Sequence, residues 1–454
     1  MKRNTLSLIL VSLLTGVTFL QPTHAVVPPP DGGYGFGNTA EGDAALQSLT
    51  PGRNTCCNTA IGEGALRNNN ASDNTAVGTE ALGKNTTGRF NTAIAGFSLP
   101  NNTTGTSNTA TGYQALLSNT TGDSNTANGV FALTNNTASN NTAIGALALQ
   151  LNTTGKNNTA SGFEALRSNT TGGLNTATGD NALAGNTTGV GNVAMGVNAL
   201  LSNTTGDDNV AIGVHALHLS RTASWNTAIG EEALAFNTTG ERNTAIGFNS
   251  LDKNTTGSFN VAIGAGAGSG VDTADDVICI GRAVTGANVN GTCFIGNIRG
   301  VQTQNANALP VVIDGAGQLG TVASSERFKK DVAIMGQASD GIFSLRPVTF
   351  QYKKDTTGTP QFGLIAEEVA KVNPALVLPD SEGKPYTVRY DAVNAMLLNE
   401  FLKEHRKVEQ QRKDFEAAIA RQQKQIEALT AGLQKVSAQL EMSKPAPETA
   451  STNH

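Results

Sequence analysis

Asn158-Thr159-Ala160-Ser161-Gly162-Phe163-Glu164-Ala165-Leu166-Arg167-Ser168-Asn169-Thr170-Thr171-Gly172-Gly173-Leu174 is followed at once by Asn175-Thr176-Ala177-Thr178-Gly179-Asp180-Asn181-Ala182-Leu183-Ala184-Gly185-Asn186-Thr187-Thr188-Gly189-Val190-Gly191. The two stretches share the unit Asn-Thr-Ala-x-Gly-x-x-Ala-Leu-x-x-Asn-Thr-Thr-Gly-x-x. Its first Asn recurs at Asn158, Asn175, Asn192, Asn209, Asn226, Asn243 and Asn260, each 17 residues after the last. Earlier copies begin at Asn74, Asn91, Asn108, Asn125 and Asn141, with one step of 16. A short unit repeated many times marks a solenoid, in which each coil buries its apolar side against its neighbours. Paired helices need about 34 residues per unit, so they do not fit. Two short strands and two turns do. The Gly after Asn-Thr-Ala-x and the Gly of Asn-Thr-Thr-Gly supply freedom for corners. Asn tolerates left-handed backbone, and stacked Asn side chains form ladders. The expected structure is a parallel β-solenoid of about fourteen coils, roughly 65 Å long at one strand spacing per coil.

Comparing the copies assigns faces. The Ala of Asn-Thr-Ala (Ala76, Ala93, Ala110, Ala143, Ala160) and the Leu (Leu82, Leu99, Leu116, Leu133, Leu149, Leu166, Leu183) hardly vary, and both belong inside. The residue after that Ala varies (Ile144, Ser161, Thr178). Because neighbours in a strand point to opposite faces, it belongs outside. Towards the C-terminal end it becomes Met195, Ile212, Ile229, Ile246 and Ile263, an apolar row that argues for burial between subunits.

The segments Ala228 to Leu234 and Ala245 to Leu251 resemble the head repeats of trimeric autotransporter adhesins. That resemblance implies a left-handed-type parallel β-roll and a homotrimer. Thr pairs such as Thr120-Thr121, Thr153-Thr154 and Thr170-Thr171 are of the kind found on ice-binding solenoids, but Thr is also a good β-former at a turn edge. The Asn-x-Thr triplets match a glycosylation sequon, although coil geometry alone explains their recurrence.

Composition supports a thin core. Charged residues make up 15% and aromatics 5% of the chain, with 51 glycines, which is poor material for an ordinary enzyme core. Net charge is -5 with no basic block, so nothing favours nucleic acid. Lys2 and Arg3, the apolar run Leu6 to Leu20 and Thr23-His24-Ala25 read as a secretory signal, with an anchor helix as the other reading. No second membrane span follows. The expected location is therefore secreted or at the cell surface. Cys56 and Cys57 are adjacent; Cys279 and Cys293 either pair across neighbouring coils or fill space as small apolar residues. No metal or cofactor is implied: Asp272, Asp275 and Asp276 read as a solvated loop rather than a Ca²⁺ site.

The repeat decays after Gly268. Val277 to Gly281 and Cys293 to Gly296 look like terminal coils, and Val311 to Asp314 and Gln318 to Val322 like short strands around a turn. After Ala323 the composition shifts to Lys, Arg and Glu. Ser324-Ser325-Glu326-Arg327-Phe328-Lys329-Lys330-Asp331-Val332, Leu345-Arg346-Pro347-Val348, Phe350-Gln351-Tyr352, Phe362 to Val369 and Tyr390-Asp391-Ala392-Val393 follow in order. Together they resemble the intramolecular chaperone domain of phage endosialidase tailspikes, also found in tail fibres and myelin regulatory factors. The resemblance implies a Ser/Lys dyad, Ser324 and Lys329, that cuts the chain between Ala323 and Ser324. The Ser needs a base, and a Lys serves only when neutral. Lys330 is the alternative base. Read without the later blocks, Ser324 or Ser325 caps a short helix.

Phe415, Ile419, Ile426, Leu429, Leu433, Val436 and Leu440 stand at heptad spacing, with Gln422 in one core place, which predicts a coiled coil. The expected organisation is a signal peptide (1–25), linker (26–37), solenoid repeats (38–268), terminal coils and junction (269–323), a small α/β self-cleaving chaperone domain (324–395), a trimeric coiled coil (396–441) and a disordered tail (442–454). The function expected is a structural trimeric fibre whose only catalysis is one self-cut. The alternative is an adhesin that binds glycans or surfaces along the solenoid. An aromatic-lined patch would mark it, and the chain has a single Trp, Trp225.

Overall fold

The computed structural model describes residues 35–50, 55–299, 309–314, 317–380 and 382–443. The expected signal peptide, linker residues 26–34 and the tail from residue 444 onward lie outside the described residues. The chain divides into two compact units, Met1–Gln304 and Asn305–His454.

The first unit is a mainly β, parallel solenoid. Strands β1 (Thr39–Glu41) through β16 (Cys293–Ile295) form one 16-stranded sheet in strict chain order. Each strand is three residues long: Thr or Val, then Ala, then a variable residue in most coils, as in β8 (Thr159–Ser161), β9 (Thr176–Thr178) and β10 (Val193–Met195). Like residues stack on like, Ala160 on Ala177 on Ala194. The middle residue of every strand before β16 points inward and is buried, while the third faces out; in β16 the middle residue, Phe294, is half-buried.

The expectation of two strands per coil is corrected: each coil carries one. The Ala-Leu segment cannot be extended, because both of its residues turn inward. Ala165 and Leu166 are adjacent and both fully buried, whereas strand neighbours alternate. Left-handed backbone at Glu164 (φ 56°) and Leu166 (φ 52°) makes this possible. The same left-handed Leu recurs from Leu66 to Leu251. A non-Gly residue there costs about 1–2 kcal/mol, while full burial of a Leu contributes about 1.5–3 kcal/mol. Ladder bonds between coils continue without a strand, since the Leu166 N–H donates to the Ala182 carbonyl at 3.0 Å.

Of the two glycines of each unit, one matches the corner role expected of it and the other does not. Gly162 and Gly179 do adopt left-handed φ of 144° and 128°. Gly172, from Asn-Thr-Thr-Gly, does not. A Cβ on it would lie 2.4 Å from the Gly189 carbonyl oxygen and 2.5 Å from Asn169 Oδ1, so close approach of coils is what requires it.

Asn runs through the interior as two ladders rather than as a corner residue. In the first, Asn158 Oδ1 accepts from the Asn175 N–H at 3.0 Å, and Asn175 Oδ1 from the Asn192 N–H at 2.9 Å. In the second, Asn169 Nδ2 donates to Asn152 Oδ1 and Asn186 Nδ2 to Asn169 Oδ1, both at 2.7 Å. The second ladder breaks where Ser220 replaces Asn: neither Asn203 Oδ1 nor Ser220 Oγ has a partner, because the shorter side chain cannot span the gap. The sequon asparagines Asn152 and Asn169 are fully buried, which closes them to glycosylation in the folded chain. The Thr hydroxyls are also engaged, with Thr153 Oγ1 donating to the Thr170 carbonyl and Thr170 Oγ1 to the Thr187 carbonyl, each at 2.9 Å. These Thr pairs lie in bends off the strands.

Cys279 and Cys293 stand on neighbouring strands β15 (Ile278–Ile280) and β16, but Cys279 pairs in register with Phe294 and Cys293 with Ile278. This one-residue offset sends Cys279 inward and Cys293 outward, so both are free thiols.

The second unit is a small mixed α/β region. A β17 (Val312–Ile313)/β18 (Leu319–Gly320) hairpin and a 3₁₀ turn (Glu326–Phe328) precede a longer 3₁₀ segment, Gly336–Ser344. Antiparallel β19 (Val348–Phe350) and β20 (Gln361–Gly363) lead to helix α1 (Ala366–Val372). After antiparallel β21 (Val377–Pro379) and β22 (Pro385–Val388) comes the 53-residue helix α2 (Tyr390–Met442). Ile342, Val369, Leu376, Val388, Val393 and Met396 form a small core. Beyond it the heptad residues of α2 are bare, with Phe415 and Leu433 each 71% exposed.

Candidate functional site

Residues 324 to 329 hold the Ser and the Lys that the sequence singles out. Ser325 (φ −66°, ψ 140°) and Lys329 (φ −115°, ψ 147°) are extended, and the 3₁₀ turn between them reverses the chain. The Phe328 N–H donates to the Ser325 carbonyl at 3.0 Å and the Lys329 N–H to the Glu326 carbonyl at 2.9 Å, closing the turn. Five residues apart in sequence, Lys329 Nζ and Ser324 Oγ thereby come to 3.2 Å. Lys329, not Lys330, is the lysine that makes this bond. Ser325 does not cap the turn, and the Arg327 guanidinium lies over the Phe328 ring, 4.6 Å from its centroid.

An ammonium donates a hydrogen bond but cannot take a proton. Activating the hydroxyl requires the neutral amine. In the single chain Ser324 and Lys329 are both exposed to water.

The sequence blocks downstream converge in space. Arg346 grips the Glu368 carboxylate with two bonds, of 3.1 and 2.5 Å, tying the Leu345-Arg346-Pro347 block to α1. Glu368 is held below the usual carboxylate range, first by that hydrogen bond and then by the Coulombic pull of Arg346. The Leu364 N–H donates to the Tyr390 hydroxyl at 3.0 Å, joining the segment after β20 to the start of α2. These elements leave an open apolar pocket of about 680 Å³ lined by Ile342, Leu345, Val348, Phe362, Tyr390 and Leu397.

One polar cluster has no signal in the sequence. Ser339, fully buried in the 3₁₀ segment, donates to Glu400 and accepts from Asn399 Nδ2 at 2.6 Å. Lys403 bonds Glu400 at 2.6 Å and Asp340 at 2.7 Å. Glu400 is held below its ordinary range, chiefly by Lys403, and Lys403 above its own, chiefly by Asp340. The partners lie some sixty residues apart and share no spacing, so only the fold reveals the cluster. It pins the 3₁₀ segment to α2.

Among the described residues there is no group of three or more His, Cys, Asp or Glu able to hold a metal ion, and no helix long and apolar enough to cross a membrane. Residues 324–378 match the chaperone of endosialidase family, and the match starts at Ser324. No curated protein and no solved structure matches the chain. A β-solenoid followed by an endosialidase-type chaperone region is consistent with a tail-fibre-like, assembly or structural role.

Proposed function

We propose that the chain is the subunit of an exported trimeric fibre whose C-terminal region registers three copies and then cuts itself free between Ala323 and Ser324. The observation that carries this reading is the 3.2 Å contact of Lys329 with Ser324, at the first residue of the family match. Two apolar surfaces left bare on the single chain support the trimer. One is the outward row Met195, Ile212, Ile229, Ile246 and Ile263, between 36% and 44% exposed; the other is the heptad stripe of α2.

In this mechanism, packing of the three chains removes water from Lys329 and favours its neutral form. The amine takes the Ser324 hydroxyl proton, and Oγ attacks the carbonyl carbon of Ala323. The Ala323–Ser324 C–N bond breaks as the new amine receives that proton from Lys329. Water then hydrolyses the Ala323 ester and restores the hydroxyl. Assembly comes first because near-identical coils can pair in many registers, and a C-terminal trimer selects one. Cleavage then leaves the fibre kinetically hard to unfold.

A denaturing gel of wild type beside Ser324→Ala tests this. Wild type should release a fragment of about 14 kDa, counting residues 324 to 454, and the variant should stay whole. A wild-type chain that stays whole would remove the self-cut.

An adhesive reading is favoured by one observation. The Arg242 guanidinium lies 4.4 Å from the Trp225 ring centroid and 5.4 Å from that of Phe259, with the two half-exposed rings on the coils either side of its own. This is the aromatic patch that a single Trp made hard to expect, and it suits a glycan or surface ligand.

A further inference from the structure

Cys56 and Cys57 have no part in the solenoid core or in the self-cut. Cys56 is half-buried and Cys57 exposed, both are free thiols, and their sulfurs are 3.0 Å apart. The neighbouring coils hold them there. The Cys57 N–H donates to the Phe36 carbonyl at 3.2 Å, and the Cys56 carbonyl accepts from the Asp73 N–H at 3.0 Å. The Cys56 N–H donates to Ser72 Oγ at 3.2 Å. Left-handed backbone at Cys57 (φ 62°), a corner position in every regular coil, turns its side chain back towards Cys56. In the next coil the same corner is Ser72-Asp73, so the repeat itself does not require sulfur there.

We propose that Cys56 and Cys57 are a vicinal dithiol, a modification site that exchanges with small-molecule disulfides and closes into a disulfide across one peptide bond. One thiolate attacks a sulfur of the incoming disulfide RSSR, forming a mixed disulfide and expelling RS⁻. The neighbouring thiolate then attacks the protein sulfur of that mixed disulfide and expels the second RS⁻. Two electrons pass from the cysteine pair to RSSR, and the two thiol protons leave on two RSH. The closed ring spans no loop, so it removes almost no chain entropy and is not a staple. Exposed, tightly constrained disulfides are the labile ones, so the couple should reopen in reducing thiol. The hydrogen bond between the thiols raises Cys57 above its ordinary pKa, so exchange should quicken as pH rises.

The test uses the full chain carrying Cys293→Ser, which removes the other exposed thiol. The protein is equilibrated with oxidised and reduced glutathione, alkylated, denatured, digested with trypsin and weighed. Cleavage at Arg53 and Arg67 places both cysteines on one peptide. In oxidised buffer the peptide should lose both alkyl labels and weigh about 2 Da less than the dithiol form. Excess reduced glutathione should restore both labels. Adding Cys57→Ser should leave a glutathione adduct stranded on Cys56. The proposal is overturned if the wild-type pair keeps both labels, holds glutathione, or links to the same peptide of another chain.

Discussion

Asn175→Ala isolates what one rung of the interior Asn ladder contributes. Asn175 Oδ1 accepts from the Asn192 N–H at 2.9 Å and from Asn192 Nδ2 at 3.2 Å, and its own Nδ2 reaches the Gly189 carbonyl at 2.8 Å. Most of these partners survive truncation. The Gly189 carbonyl keeps Asn186 Nδ2 at 3.1 Å, and Asn192 Nδ2 keeps the Gly206 carbonyl at 2.8 Å. The Asn192 N–H is left unpaired in a position that is fully buried. An orphaned buried donor costs about 1–3 kcal/mol, and the lost bonds bring the total to about 2–4 kcal/mol. Because a solenoid transmits strain chiefly to neighbouring coils, the effect should be local. Native-state hydrogen exchange at the Asn192 amide should accelerate about 30- to 900-fold. Exposed Thr171→Ala should change exchange little, within about 0.5 kcal/mol. An Asn192 amide that exchanges within about threefold of wild type would refute the ladder's role in stability.

Gly179→Ala must destabilise the solenoid, because its Cβ would lie 2.7 Å from the Gly196 carbonyl carbon at φ 128°; a urea midpoint should report a loss of about 3 kcal/mol or more. Gly432→Ala, in α2 with nothing within 4 Å of its Cβ, should instead stabilise the helix by about 0.5–1 kcal/mol in a thermal melt followed by circular dichroism. Ile246→Lys should weaken association of the fibre portion left after cleavage, read by sedimentation velocity, while leaving the solenoid's far-ultraviolet spectrum unchanged. Arg346→Gln should alter the acid limb of folding. Glu368 titrates below its unfolded value, so its ion pair stabilises above that value and the contribution is lost as pH falls through the folded one. The variant should lose less stability across that window than wild type, because only the Glu368 contribution is removed, in an acid titration followed by near-ultraviolet signals.

Periodicity made the solenoid legible, since a strictly recurring Ala and Leu can only be an inside column. What periodicity concealed was conformation. Repeated Ala165-Leu166 reads as a second strand until the left-handed φ of Leu166 is known, and hydrophobicity carries no record of φ. The Asn ladders were foreseeable from chemistry, but placing them in the interior required the coil's section. Ser324 and Lys329 were singled out only by the family resemblance that the later blocks carry, and their 3.2 Å approach depends on a turn too short for any pattern to announce. The Ser339–Glu400–Lys403 cluster and the sulfur proximity of Cys56 and Cys57 are facts of tertiary geometry. In each case the residues become meaningful only after distant or turned segments meet.

Whether three chains share their bare apolar faces is the claim on which assembly, water exclusion at Lys329 and the timing of the cut all rest. Light scattering coupled to size exclusion weighs the purified protein directly. The account predicts three times the mass of one chain, in the Ser324→Ala protein and in the fibre portion left after cleavage. A well-folded particle with the mass of a single chain would contradict it.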